Sequence, residues 1–326
     1  MTLKNIIKAQ ERIAGLIKKT ELRKSSYFAR LIQGNVFLKL ENLQITNAFK
    51  IRGALNKLCQ LKRDKEDIIT ASSGNHGQAV ARASRELGFQ ATIIIPEGTP
   101  EKKRKLIQKY GAKYIIYGKS VDQAEAYGRK MAEKEGKIYI SPYNDPEIIA
   151  GAGTIGLELT EQYIDLQSVL VPIGGGGLIS GVAMAVKERY PGIQIIGIQP
   201  KNDAAMYYSI QEGKILSPER YANSSTIADG LAGGIEDNSI TFHLVQKYVD
   251  QILLVQEQSI QQAIYLLWEK EGLTVEGAGA VGVAAILENP DMFLKQKLAV
   301  IISGGNINQD CFNEITKRNL TTGFYG

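Results

Sequence analysis

Four short stretches of this 326-residue chain carry residue types that can do chemistry. The first is Lys50, inside "LENLQITNAFKIRGALNKL" (40–58). An uncharged lysine amine attacks carbonyl carbons, but most lysines are solvated surface charges, so Lys50 needs company. The second is "SVLVPIGGGGLISGVAMAVKE" (168–188), which reads as strand, glycine run, helix. Gly174, Gly175, Gly176 and Gly177 have no side chains, so their N–H groups can approach an anion, and the following helix adds its positive end. The third, "TASSGNHGQAVA" (70–81), and the fourth, "LAVIISGGNINQD" (298–310), repeat the plan of strand, polar turn and glycine.

The guest of the glycine run is narrowed by what the run lacks. A Walker loop ends in Gly-Lys-Ser/Thr, and this one ends in Gly-Leu-Ile-Ser. A dinucleotide fingerprint needs a third glycine five residues after the first, where this chain has Ile179 or Ser180. The next strand ends in Gln199, where a ribose-binding acid is expected. A single phosphate on a small cofactor fits better than a nucleotide. In the third stretch, Ser72, Ser73 and Asn75 either cap the following helix or offer hydroxyls, an amide and N–H groups to a carboxylate. His76 lacks partners for a metal and is read as a positioning residue. Ser303 either bonds local backbone or presents one hydroxyl to a ligand heteroatom. A lysine plus a phosphate pocket suggests pyridoxal phosphate, whose aldehyde forms a Schiff base with an amine.

These residues need a scaffold, and the apolar pattern supplies one. "NVFLKL", "DIIT", "ATIIIP", "KYIIYG", "SVLVPI", "IQIIGIQ", "QILLV" and "KLAVIIS" read as buried strands. Helical patterns lie between many of them, at 75–87, 99–109, 120–135, 146–163, 178–189 and 257–271. Phe49, Ala54, Leu55 and Leu58 place Lys50 at the opening of another helix, with Thr46 and Asn47 as cap types. Strand–helix alternation predicts an α/β fold with parallel sheets and helices on both faces. Residues 63–142 read as a small inserted α/β domain, and 1–62 with 143–326 as a larger domain that binds the cofactor. The ligand is expected in the crevice between them.

Composition excludes other classes. Hydrophobic content of 44% and charged content of 22% belong to a globular protein. The net charge of +5 is spread along the chain, and its densest basic run, "EKKRKLIQKYGAK" (101–113), reads as a solvated helix face without base-stacking aromatics. Cys59 and Cys311 make neither a disulfide framework nor a metal cluster, and two histidines are few for a metal site. No signal peptide, membrane span or nucleic-acid surface is expected, and the cytoplasm is the expected compartment.

The motifs together resemble the fold-type II pyridoxal-phosphate enzymes, the tryptophan synthase β-like class of two open, twisted, mostly parallel sheets, and within them the threonine dehydratase and serine racemase group. "FKIRGALNKL", "SSGNHGQA", "IAGAGTIGLEL", "VPIGGGGLISG", "TIADGL", "VEGAGAVGVAA" and "ISGGN" occur in family order over nearly the whole chain. The resemblance implies that Lys50 holds the cofactor covalently, with Phe49 beside the ring. It implies that Asn75 bonds the ring's phenolic oxygen, that Gly174 to Gly177 with the Leu178 N–H cradle the phosphate, and that Ser303 faces the pyridine nitrogen. Glu276 would lie near the cofactor. Ser72, Ser73, Gly74 and His76 would surround the substrate, with Ser73 a candidate proton carrier opposite Lys50.

By the same resemblance the expected reaction is elimination from L-threonine, and from L-serine, to 2-oxobutyrate or pyruvate and ammonia. Racemisation of serine, dehydration of 3-hydroxyaspartate and a catalytically silent amino-acid sensor are the alternatives. A homodimer or homotetramer is usual in the family. Three departures stand out. The family's Thr-Gly-Ser-Phe-Lys reads Thr46-Asn47-Ala48-Phe49-Lys50. Gln199 and Ala205 replace the acids of metal-dependent serine racemases, so no metal is expected. At 326 residues, no regulatory domain of the kind that biosynthetic threonine dehydratases add is expected. Arg52 and Tyr143 lie near regions relevant to control in the family, without an assigned ligand.

Overall fold

Runs rich in isoleucine and valine are buried on both faces only inside a parallel sheet, and this chain forms two such sheets. The computed structural model describes residues 1–61, 67–163, 165–222 and 224–322, with side chains to 319. In chain order the strands are β1 (Leu22–Ser25), β2 (Asn35–Lys39), β3 (Ile68–Ala71), β4 (Ala91–Ile95), β5 (Lys113–Ile116), β6 (Ile138–Tyr139), β7 (Ser168–Pro172), β8 (Gln194–Pro200), β9 (Gln251–Val255) and β10 (Lys297–Ile301). The larger sheet has the order β1-β2-β10-β7-β8-β9 and the smaller β5-β4-β3-β6. Every pairing is parallel except the antiparallel edge pair of β1 with β2. All eight strands expected from apolar runs are present. The two that the pattern missed are β1, with two basic residues in four, and β6, two residues long.

Alternation along each strand builds a core on both faces. Leu170, Leu298 and Val300 pack on one side of the larger sheet, and Val169, Val171, Ala299 and Ile301 on the other. In the smaller sheet Ile68, Ile93 and Ile95 face one core while Ile69, Ala71 and Ile94 face the opposite one. The smaller sheet draws its strands from 68–139. The expected change of domain at 62–63 lies outside the described residues. The helices Lys50–Leu58 and Pro146–Gln162 send Ile51, Ala54, Leu55, Leu58 and Ile148 into the core of the smaller sheet, so the helix that starts with Lys50 is anchored on that side.

One expected helix cap, and one of two readings open for Ser72, are replaced by other devices. Phe49, not Thr46 or Asn47, is the residue before the Lys50–Leu58 helix, and it makes no side-chain cap. Asn47 instead takes φ +54°, which asparagine tolerates because its short polar side chain bonds locally. That conformation explains how asparagine can stand where the family commonly has glycine. Gly74 precedes the helix Asn75–Leu87, and the Ser72 hydroxyl accepts from the Gly74 N–H at 3.2 Å rather than capping the helix. The basic run at 101–109 forms a helix that buries only Ile107, the solvated face expected of it. Among the described residues no helix is long and apolar enough to cross a membrane.

Candidate active site

Three of the chemistry-bearing stretches begin where a parallel strand ends. Ser72 follows β3, Gly174 lies just beyond β7, and Ser303 lies just beyond β10. Because β7 and β10 are neighbours, the glycine run and Ser303 open side by side on the same edge of the larger sheet. Strand ends are where open α/β sheets present ligands, since the following helices turn their N-terminal N–H groups there. The turn after β3 comes from the smaller sheet and closes the opposite wall. Between them lies a cavity of about 720 Å³ lined by every residue nominated from sequence: Phe49, Lys50, Ser72, Ser73, Gly74, Asn75, His76, Gly174 to Gly177, Leu178, Glu276 and Ser303.

Lys50 is the first residue of its helix. The Phe49 N–H donates to Ser303 O at 3.0 Å, and Ala48 bridges Gly304, so backbone contacts tie the lysine turn to the β10 loop. The Lys50 Nζ donates to the Pro142 carbonyl at 2.8 Å and stands 5.2 Å from the Phe49 ring centroid. Burial lowers its pKa to about 8, against the opposing pull of Glu125 and Glu276. A fraction of the amine is therefore uncharged near neutrality, which a nucleophile or base requires.

The glycine run fits a phosphate for steric reasons. A Cβ on Gly175 would lie 2.5 Å from the Tyr143 ring, and one on Gly174 would lie 3.1 Å from Leu231 Cα. Gly176 takes φ +87°, which L side chains rarely adopt. Gly177 then opens the helix Gly177–Lys187. Tyr143, on the other side of the run, accepts from the Glu236 N–H at 2.9 Å, and burial raises its phenol above the ordinary value.

Opposite the phosphate corner, the Asn75 Nδ2 donates to Glu276 Oε1 at 2.6 Å. Burial, with Asp229 nearby, pushes the Glu276 carboxyl up to about 7, while the Asn75 hydrogen bond acts the other way. A Cβ on Gly304 would overlap this carboxyl, so glycine there leaves the Glu276 side chain its place. The Ser303 hydroxyl donates to the Ala278 carbonyl at 3.4 Å, a long contact that leaves it adaptable. His76 is buried with its Nε2 3.2 Å from the Ile140 carbonyl. Burial first, and then the Lys50 charge, lower it to about 3, so it is a neutral wall residue at physiological pH.

Other lining residues were not legible in the sequence. Glu125 reaches the cavity from the helix Val121–Glu135, and burial pushes it up to about 7. It looks like any other charge in "VDQAEAYGRKMAEKE", so no signal marked it. Pro142 contributes only a carbonyl, which sequence does not advertise. Arg52, singled out near the lysine, is wholly buried away from the cavity. It pairs with Glu41 at 2.8 Å and with Glu158 at 2.7 Å, and Lys39 joins Glu158 at 2.6 Å. It braces the lysine helix against the larger sheet. Gln199, where a metal-binding acid would stand, is buried and accepts from the Tyr207 N–H at 2.7 Å. Among the described residues no group of three or more His, Cys, Asp and Glu side chains is placed to hold a metal.

A buried amine of lowered pKa facing a glycine cradle matches an aldehyde that carries a phosphate. Comparison with known proteins agrees. The profile of the family described as "Pyridoxal-phosphate dependent enzyme" matches residues 13–304. The L-threonine ammonia-lyase of Thermotoga maritima is 42% identical over 322 residues, covering 98% of this chain and 79% of that protein. The catabolic L-threonine dehydratase TdcB of Escherichia coli K12 is 39% identical over 320 residues, covering 97% and 96%. The solved structure of maize serine racemase superposes with a TM-score of 0.90 at 34% identity, covering 99% of each chain.

Proposed function

The chain belongs to the pyridoxal-phosphate dependent enzymes, and from that premise we propose that it is a threonine and serine ammonia-lyase. It converts L-threonine to 2-oxobutyrate, and L-serine to pyruvate, with release of ammonia. The observation that carries the reading is the convergence of Lys50, the Gly174–Gly177 run and Ser303 on one cavity. The threonine-specific names of the relatives support the choice of substrate.

Lys50 would hold the cofactor through its Nζ, Gly174 to Gly177 and the Leu178 N–H would take the phosphate, and Asn75 would donate to the ring oxygen. When bound, pyridoxal phosphate supplies a conjugated ring over which negative charge from the substrate's α-carbon is spread. The chain's own residues do the rest. Lys50, once free of its bond, is the amine that removes the α-proton, and its lowered pKa keeps it partly uncharged for that task. Ser72, Ser73 and the N–H groups of their turn receive the substrate carboxylate at the end of β3. Ser303 keeps its own proton at neutral pH, so the protein places no carboxylate beside the ring nitrogen. That moderates electron withdrawal and suits prompt expulsion of the β-hydroxyl. His76, neutral and buried, closes the wall without adding charge.

The reading extends to a cytoplasmic homodimer or homotetramer that acts on a free amino acid, without nucleic acid or membrane. Sedimentation of the purified protein measures the assembly state. The reaction is tested by 2-oxobutyrate release from L-threonine, with Lys50→Ala alongside. Rapid release by the wild type and none by the variant is expected. A yellow wild type whose colour depends on Lys50, but which releases no 2-oxobutyrate, would redirect the reading to 3-hydroxyaspartate or another β-hydroxy amino acid. The second reading, serine racemisation, is favoured by the likeness to maize serine racemase and by Ser73 in the cavity wall. Appreciable D-serine formed from L-serine would put it first.

A further inference from the structure

We infer that Asn306 is a positioning residue that fixes the direction of the Asn75 side-chain amide, so that the site presents an N–H donor, not a carbonyl, to an anionic oxygen of the ligand. The inference rests on the reading of the cavity as a pyridoxal-phosphate site and adds to it a residue that stands outside the nominated set.

An asparagine amide has nearly the same shape in two orientations related by a half-turn, and only its neighbours decide between them. Here they form a directional chain. It begins at the Thr46 carbonyl, which can only accept. The Asn306 Nδ2 faces it at 2.9 Å and is therefore fixed as a donor. The same Nδ2 donates its second hydrogen to Asn75 Oδ1 at 2.7 Å. That turns the Asn75 Nδ2 to the other side, where it donates to Glu276 Oε1 at 2.6 Å. The Nδ2 group carries two hydrogens, so one remains for the cavity that Asn75, Glu276 and Asn306 all line.

Glu276 does not impose this direction alone. Its carboxyl, held up near neutrality by burial, is either donor or acceptor according to its proton, and so tolerates either orientation. Thr46 O has no such freedom, which makes Asn306 the fixed end of the chain. Asn47 adds a second, weaker contact. From its positive-φ position it donates through Nδ2 to Asn306 Oδ1 at 3.4 Å, a long contact on the other half of that amide. The residue that departs from the family's usual glycine thus supports the orientation of the donor. A reversed Asn75 would set its nitrogen against the Asn306 nitrogen, an unfavourable contact at hydrogen-bond distance whatever the proton on Glu276, and its oxygen against Glu276 whenever that carboxyl is ionised.

The test compares binding of pyridoxal phosphate with binding of 3-deoxypyridoxal phosphate, which lacks the phenolic oxygen, to the cofactor-free full-length chain. Wild type, Asn306→Ala, Asn306→Asp and Asn75→Ala are measured, with thermal melting of each. Wild type is expected to prefer the natural cofactor by about tenfold, the usual worth of a hydrogen bond to a charged acceptor. The preference should shrink in Asn306→Ala, and shrink further or vanish in Asn306→Asp, with little change in melting temperature. That order is diagnostic. Aspartate matches asparagine in shape but replaces the donor with an acceptor, so a purely packing role predicts that alanine does more harm. Full preference retained in Asn306→Asp, or alanine the worse of the two, overturns the role of Asn306. If Asn306→Asp does not fold, unchanged preference in Asn306→Ala overturns it equally. Wild type without any preference, matched by Asn75→Ala, removes the Asn75 contact itself, and failure of wild type to bind either compound removes the cofactor reading.

Discussion

Gly175→Ala is expected to cripple cofactor binding while leaving the fold largely intact. A Cβ at this position would lie 2.5–2.6 Å from three atoms of the Tyr143 ring, closer than real carbon contacts occur. The ring is not free to step aside, because its hydroxyl accepts from the Glu236 N–H at 2.9 Å. Forcing an extra methyl into such a place costs about 1–3 kcal/mol. Where the ring gives way, it moves into the cavity it lines, the volume that the phosphate needs. The cost therefore falls on ligand affinity more than on folding. At about 1.4 kcal/mol per factor of ten, affinity for pyridoxal phosphate should fall roughly 5- to 150-fold. Equilibrium titration of the cofactor-free protein measures this, and thermal melting of the same samples reports any loss of fold. Gly192→Ala is the control, since a Cβ there meets nothing within 4 Å. Tyr143→Ala should absorb most of the damage in the double variant, giving a coupling energy of about 1 kcal/mol or more. Wild-type affinity in Gly175→Ala, or strict additivity with Tyr143→Ala, would refute the steric argument for the glycine run.

Three further outcomes follow from the buried ionisable groups. Reconstitution of the cofactor-free protein, read as growth of the yellow absorbance, should quicken as pH rises through about 8 and then level, since only the neutral Lys50 amine is nucleophilic; Lys50→Ala should give no yellow protein at any pH. Arg52→Met leaves the Glu41 carboxylate in the core without its guanidinium partner, and Glu158 with Lys39 alone, and should cost about 3–5 kcal/mol in urea unfolding, with much smaller loss if Arg52 and Glu41 were replaced together. Glu276 is held at about 7, above its ordinary 4.5, so the folded state binds its proton more tightly than the unfolded chain. Its contribution is most favourable below 4.5 and is lost as pH rises through 7, and Glu276→Gln should therefore be the more stable protein at pH 8 by up to about 3 kcal/mol, with the gain shrinking toward pH 5.

Much of this site could be read before any fold was known, because its chemistry is carried by local patterns. The eight apolar runs declare strands since an Ile/Val-rich segment too short for a helix is buried best inside a parallel sheet. Four glycines after such a run declare a backbone-lined pocket, and Lys50 acquires meaning once a phosphate is expected nearby. The order of the motifs then carries a family resemblance, and every residue nominated through it lies in the one cavity. The cap before the lysine helix was misjudged because Thr46 and Asn47 are cap types by composition, but their side chains bond the Ala48 carbonyl and Asn306 instead; of the two readings open for Ser72, the capping one falls, since its hydroxyl serves the turn.

The sequence alone therefore determined eight of the ten strands, the helices between many of them, the cofactor class and a set of residues that the fold gathers on one cavity, since each depends on neighbours close along the chain. Tertiary structure alone decided which charges matter. Glu125 and Arg129 share a helix, yet Glu125 lines the cavity while Arg129 reaches across to Glu236 at 2.7 Å. Arg52 stands two residues from the lysine but turns into a buried network with the Thr154 hydroxyl and the Glu158 carboxylate, 102 and 106 residues away in sequence. The lowered pKa of Lys50, the raised pKa of Glu276 and the direction of the Asn75 amide have the same origin. Burial and hydrogen-bond polarity are set by atoms that meet only after the two sheets pack, and no local pattern encodes that meeting.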